Sequence, residues 1–150
     1  IRDRPISDYQ SYWMERGQEY EQEALDWYQF ETNVDSRRVG FIFKDEERLV
    51  GCSPDWLCEP DGGCEVKAPM APTHVGYMLA ATIPTKYIPQ VQGCLWVTGR
   101  KWWSFVSYHP DFRPVVVRIE RDPEYQAMLD KHIPQFLSEI LEARKLISED

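Results

Sequence analysis

Three side chains near the middle of the chain have types and spacing that could do chemistry. Asp55 follows Ser53-Pro54, and ten residues later comes Glu65-Val66-Lys67-Ala68-Pro69. Between them lies Glu59-Pro60-Asp61-Gly62-Gly63, a strong turn signal. A hairpin centred on Pro60 opposes residues whose numbers sum to 120, which sets Asp55 against Glu65. Opposed side chains on paired strands have Cβ atoms ~4.5–5.5 Å apart. Two carboxylates so placed repel unless one is protonated or a cation lies between them. A hard divalent ion resolves the conflict, and Mg²⁺ commonly takes one or two carboxylates together with water and phosphate oxygens. Strand periodicity then adds a third member: Glu65 and Lys67 share a face while Val66 points to the other. An ammonium in that place can orient or help deprotonate a water and balance charge on an attacked phosphate. Two anions on a metal with one cation beside it suit phosphodiester hydrolysis. The competing reading is a surface strand with an ordinary Glu-x-Lys pair, which a bare match favours because the pattern is common. Pro54, the glycine turn and Pro69 raise the odds of a site and leave the choice open.

The elements that must position these residues are readable in outline. Ser7 can cap a helix beginning near Asp8 and reaching about Phe30, with Trp13, Tyr20, Ala24, Trp27 and Tyr28 at helical spacing. Residues 37–44 and 48–52 read as strands joined by the polar turn Asp45-Glu46-Glu47. With residues 56–58 and 64–68 they suggest an antiparallel meander. Thr73 is placed to cap a short helix ending near Ala81, and residues 87–97 form a second helix with Pro89 near its start. Residues 102–108 and 115–119, aromatic or β-branched, read as strands. Asp122-Pro123-Glu124 opens a last helix with an apolar stripe of Met128, Leu129, Ile133, Phe136, Leu137, Ile140 and Leu141, kinked at Pro134. The expectation is one α/β domain over residues 1–150, a mixed sheet flanked by helices.

Composition bounds the function. A chain of 150 residues with 43% hydrophobic content can build a core. No apolar run approaches the ~18 residues of a membrane span, and no basic-then-apolar leader opens the sequence. The net charge of −8 argues against a protein that coats nucleic acid non-specifically. Local cations, namely Arg37-Arg38, Lys86 and Arg100-Lys101, are either DNA contacts or solvated surface. The four cysteines, Cys52, Cys58, Cys64 and Cys94, lack CxxC spacing and fit no closed zinc site. A disulfide between neighbouring strands is conceivable, and reduced thiols in a cytosolic protein are the favoured reading.

Taken with further blocks, these residues resemble the lambda-exonuclease/YqaJ-type family of viral recombination nucleases, PD-(D/E)XK enzymes with a restriction-endonuclease-like core. Gly17, Glu21 and Ala24 match its G-x-x-x-E-x-x-A. Cys52-Ser53-Pro54-Asp55 and Glu65-Val66-Lys67-Ala68-Pro69 match its two central motifs, and Tyr87-x-x-Gln90-x-Gln92 its helix motif. Leu95-Trp96-Val97-Thr98, Trp103-x-Phe105-Val106-x-Tyr108 and Ile119-Glu120-Arg121-Asp122 continue the likeness. The resemblance implies Asp55, Glu65 and the Val66 backbone carbonyl as metal ligands and Lys67 as the catalytic lysine. It implies Glu21 as the helix carboxylate completing the site, Gln90 as a polar residue beside the lysine, and Ser53 as a hydroxyl on a terminal 5′ phosphate. Gln92 is read as structural, and Tyr87, Trp102 and Trp103 as core rather than stacking residues. The implied activity is a Mg²⁺-dependent 5′–3′ exonuclease on double-stranded DNA ends, with Mn²⁺ as a substitute. It would leave 3′ overhangs for a phage single-strand annealing protein, act as a homotrimer, and work in the cytoplasm of a bacterial host. Rival readings are an endonuclease or single-strand nuclease of the same fold, or a non-catalytic DNA-binding remnant. Two departures stand out: Trp56 takes the place of the family's usual Gly, and an upstream segment that helps hold the 5′ phosphate is expected before Ile1.

Overall fold

The computed structural model describes residues 12–148. Helix α1 (Tyr12–Thr32) is followed by short strands β1 (Ser36–Arg38), β2 (Ile42–Phe43), β3 (Gly51–Cys52) and β4 (Trp56–Cys58), then β5 (Gly62–Lys67). Helix α2 (Ala71–Ala80), a 3-10 turn (Thr85–Tyr87) and helix α3 (Ile88–Thr98) lead to the long strands β6 (Trp102–His109) and β7 (Phe112–Glu120), and helix α4 (Pro123–Ser148) comes last. The main sheet has the order β1-β4-β5-β6-β7. Its pairs are antiparallel except β5 with β6, which run parallel. A parallel pair needs a long crossover, and α2 and α3 provide it. The mixed sheet flanked by helices is the architecture expected from the sequence.

Strand alternation sorts the core into two layers. Trp56, Cys58, Cys64, Val66, Trp102 and Val106 pack with Ala24, Leu25 and Tyr28 of α1 on one face. Leu57 and Trp103 pack with Val91, Cys94 and Leu95 of α3 on the other. Strand β5 lies in the middle and is buried from Gly62 to Val66. Its two glycines have a packing reason. Gly62 and Gly63 stand in register with Trp102 and Trp103, and the indoles occupy the space a β-carbon would need. Trp102 and Trp103 are both buried, as the core reading held.

Several expected elements are corrected. Residues 37–44 do not form one strand: β1 pairs with β4 in the main sheet, while β2 pairs with β3 in a separate two-stranded sheet. Ile42 is drawn to the α3 layer, so the chain must turn between the two strands. The expected strand over residues 48–52 shrinks to Gly51–Cys52 because Arg48, at φ +57°, belongs to the preceding turn. The antiparallel run is therefore β1-β4-β5, not a continuous meander. Thr73 is not a cap. Helix α2 begins at Ala71 after Met70, with no side-chain cap, and Pro72 sets its first turn. Asp122 does cap α4, its Oδ1 accepting from the amides of Glu124 (2.9 Å) and Tyr125 (3.1 Å). The helix assignment continues unbroken through Pro134. The start of α1 at Ser7 and Asp8, and the side chain of Trp13, lie outside the described residues.

Candidate active site

The β4–β5 register pairs Trp56 with Cys64, Leu57 with Gly63 and Cys58 with Gly62, each summing to 120 as the turn predicted. One further step would set Asp55 against Glu65, but the chain bends at Asp55 before β4 begins. The carboxylate instead turns back on the strand, and its Oδ2 accepts the Val66 amide hydrogen at 2.7 Å. Glu65, 1% exposed, projects from β5 on the α3 face and takes the Lys67 ammonium on Oε1. Its other oxygen, Oε2, is buried with no hydrogen-bond partner. Gln90, from the first turn of α3, comes near the same carboxylate and favours its charged form. Glu21 comes from α1 on the opposite face, reaches the sheet end, and hydrogen-bonds Asp55. Arg38, at the end of β1, lies 4.0 Å from Glu21. Five sequence-chosen side chains thus meet at one end of the sheet: Glu21, Asp55, Glu65, Lys67 and Gln90. Val66 lies between the carboxylate and lysine of β5, its side chain in the α1 layer.

The electrostatics of this group are strained. Burial, followed by the charge of Asp55, pushes the Glu21 carboxyl above its ordinary range. Burial does the same to Asp55, against the opposing pull of the Val66 amide and Lys67. Glu65 is raised by burial and by Asp55, with Lys67 and Gln90 pulling the other way. Burial works to lower the Lys67 pKa, but the Glu65 carboxylate and Asp55 outweigh it and the net shift is upward. Lys67 is a firm cation here, drawn onto Glu65. Among the described residues no three His, Cys, Asp or Glu side chains close into a metal cage. Yet three carboxylates that are poor anions as they stand, one with an orphaned buried oxygen, have the donor chemistry that a hard divalent cation satisfies.

Residues 53–55 are not a regular strand, so Ser53 and Asp55 do not share a face by periodicity. Ser53 is exposed and lines, with Cys52, Gln90, Cys94, Trp96 and Ile133, a cavity of about 400 Å³. Gln92, two residues along α3, is a structural hub: it donates to the Glu120 carbonyl (2.9 Å) and accepts from the Asp122 amide (3.1 Å) and Gln126 (2.9 Å). Tyr87 stacks on Phe105 at 5.1 Å, with the Lys67 ammonium 5.4 Å from its ring. Arg100 is removed from the DNA-contact candidates. It is largely buried and donates to the carbonyls of Cys58 (2.8 Å) and Gly62 (2.9 Å) and to Glu59 (3.0 Å), clamping the turn below the site. All four cysteines are free thiols, and burial pushes Cys58 up to about 12. Sequence reasoning did not place Arg38 at the site. Its signal was the register of β1, which sets it opposite Trp56, next to Asp55.

A mixed sheet of this order, with the carboxylate-lysine strand at its centre and helices on both faces, is the PD-(D/E)XK, restriction-endonuclease-like core. Within it the chain belongs to the YqaJ-like viral recombinase domain family, whose model matches residues 2–101. It is similar to the crystal structure of LHK-Exo in complex with dAMP, with TM-score 0.86 and 30% identity over 95% of this chain and 75% of that one. A second structure, an alkaline exonuclease (LHK-Exo) from Laribacter hongkongensis, aligns with TM-score 0.84 and 31% identity over 91% and 72% of the two chains. A 64-residue stretch, 41% of this chain, is 36% identical to 74% of the ExoD protein of Escherichia coli (strain K12). Among the described residues no helix is long and apolar enough to cross a membrane.

Proposed function

We propose that this chain is a Mg²⁺-dependent exonuclease that degrades one strand of duplex DNA from a 5′ end. The observation that carries the reading is the meeting of Asp55, Glu65 and Lys67, with Glu21 and Gln90, on a fold shared with an alkaline exonuclease. Asp55, Glu65 and the Val66 carbonyl would hold the ion, with Glu21 completing the acidic wall; Mn²⁺ is the natural substitute. When bound, the ion supplies Lewis-acid polarisation of a phosphate and a more acidic water. Lys67 would orient that water and balance charge on the phosphate. Gln90 keeps the Glu65 carboxylate aimed, and its place on the cavity wall with Ser53 favours Ser53 as the hydroxyl that meets a terminal 5′ phosphate. In this reading the product is a 3′ overhang handed to a phage annealing protein in a bacterial cytoplasm, and the enzyme is a homotrimer, which sedimentation velocity tests.

The deciding experiment digests end-labelled duplexes carrying 5′-phosphate or 5′-hydroxyl ends, and closed circles, with Mg²⁺ or with EDTA. The expected result is loss of the 5′ label first, on linear DNA only, faster from phosphorylated ends and abolished by EDTA. Cleavage of circles would make the protein an endonuclease. DNA binding without cleavage in any metal would make it a non-catalytic remnant.

A further inference from the structure

The cations singled out in the sequence divide into two groups once their partners are known. Arg37 leans on Glu59 at 3.8 Å, Lys101 on Asp61 at 2.7 Å, and Arg100 is fixed in the β4–β5 turn. All three gather around that turn, which closes the opposite end of the hairpin from Asp55 and Lys67. Arg38 and Lys86 differ. Arg38 ends β1 on the α1 face, where its side chain is 72% exposed and its guanidinium lies 4.0 Å from Glu21 and 6.0 Å from the Trp56 ring. A contact this long and this open holds the side chain only weakly. Lys86 lies on the α3 face, its ammonium 4.8 Å from the Tyr87 ring. The same Tyr87 ring carries the Lys67 ammonium at 5.4 Å. These groups follow one another across the end of the sheet: Arg38, Glu21, Asp55, then Glu65 with Lys67, Tyr87 and Lys86.

We infer that Arg38 and Lys86 are the phosphate clamps of a DNA track that crosses the sheet end, gripping backbone phosphates on either side of the one presented to Lys67. This inference rests on the nuclease reading and adds which cations touch substrate and where the strand lies. The net charge of −8 gives the argument its weight, because a chain repelled by DNA overall must bind through a few well-placed cations. Arg38 has a partner it can exchange: its long, open contact with Glu21 yields to a backbone phosphate, whose geometry suits the planar guanidinium fork. Lys86 is already held over the Tyr87 ring, so less side-chain entropy is lost on binding.

The test measures affinity of the full chain for a labelled 5′-phosphorylated duplex by fluorescence anisotropy in EDTA across a salt series, for Arg38→Gln and Lys86→Gln with Arg37→Gln and Lys101→Gln as controls. Each clamp variant should lower the slope of log affinity against log salt by about 0.9 and bind about eight-fold more weakly at ~0.1 M salt. The controls should keep the wild-type slope. Thermal melts check that every variant folds. A wild-type slope retained in both clamp variants, or lost equally in the controls, would overturn the track while leaving the nuclease reading intact. Wild-type protein that binds no DNA would sink the nuclease reading, and the track with it.

Discussion

Lys67 is held by a single anion, and that fixes what its loss should do. Its ammonium is bound to Glu65 and lies over Tyr87, so it is positioned before any substrate arrives. If its role is to stabilise charge that develops only in the transition state, Lys67→Ala should lower the single-turnover rate by about 10²–10³-fold while leaving duplex affinity nearly unchanged. Near-normal cleavage by the variant would reduce the motif to coincidence. The carboxylates give a second test through pH. Glu21, Asp55 and Glu65 are all raised from ordinary values of 4.5, 3.8 and 4.5. A raised acid stabilises the fold fully below its unfolded pKa, and that stability is lost as pH rises through the folded value. In EDTA, then, wild type should lose melting temperature relative to Glu21→Gln as pH climbs above about 4.5. Glutamine has the same shape but never ionises. Mg²⁺ should erase the difference. A flat difference across that window would mean the carboxyl groups are not crowded.

At the scale of elements, β5 carries the site, and its backbone is pinned by the tryptophans beside it. Trp103 is fully buried, and a methyl group on Gly63 would meet its ring with no room to yield. Gly63→Ala should cost about 1–3 kcal/mol in urea denaturation and disturb Glu65 two residues on. Gly76→Ala, inside α2 with open space around it, should instead stabilise by about 0.5–1 kcal/mol. Equal midpoints for the two variants would refute this packing account. The hairpin was legible because its turn residues are local and fix the register, and with it the partners of Trp56, Leu57 and Cys58. Residues 37–52 were not, since splitting them between two sheets depends on which helix buries Ile42, a contact made with residues some fifty positions away.

At the scale of the molecule, the parallel joining of β5 to β6 brings Phe105 under Tyr87 and so completes the wall behind Lys67. Helix and strand patterns alone do not fix that topology; the motif blocks, through their family, did. What composition did establish is the charge imbalance, 25 acidic side chains against 17 basic ones. Self-repulsion on that scale destabilises the compact state and is screened by salt. Without divalent ions, the melting temperature should therefore climb as NaCl rises from about 10 to 150 mM, where the screening length falls from ~30 to ~8 Å, and then level off. Mg²⁺ at matched ionic strength should do more, because an ion bound only by the folded state stabilises by RT ln(1 + [L]/Kd) beyond any screening. The extra rise belongs to the carboxylates at the sheet end and not to the surface at large. Asp55→Asn and Glu65→Gln should each remove the Mg²⁺-specific increment and keep the NaCl response. If MgCl₂ and NaCl give the same curve at equal ionic strength, or if the two variants retain the increment, these carboxylates do not hold the ion.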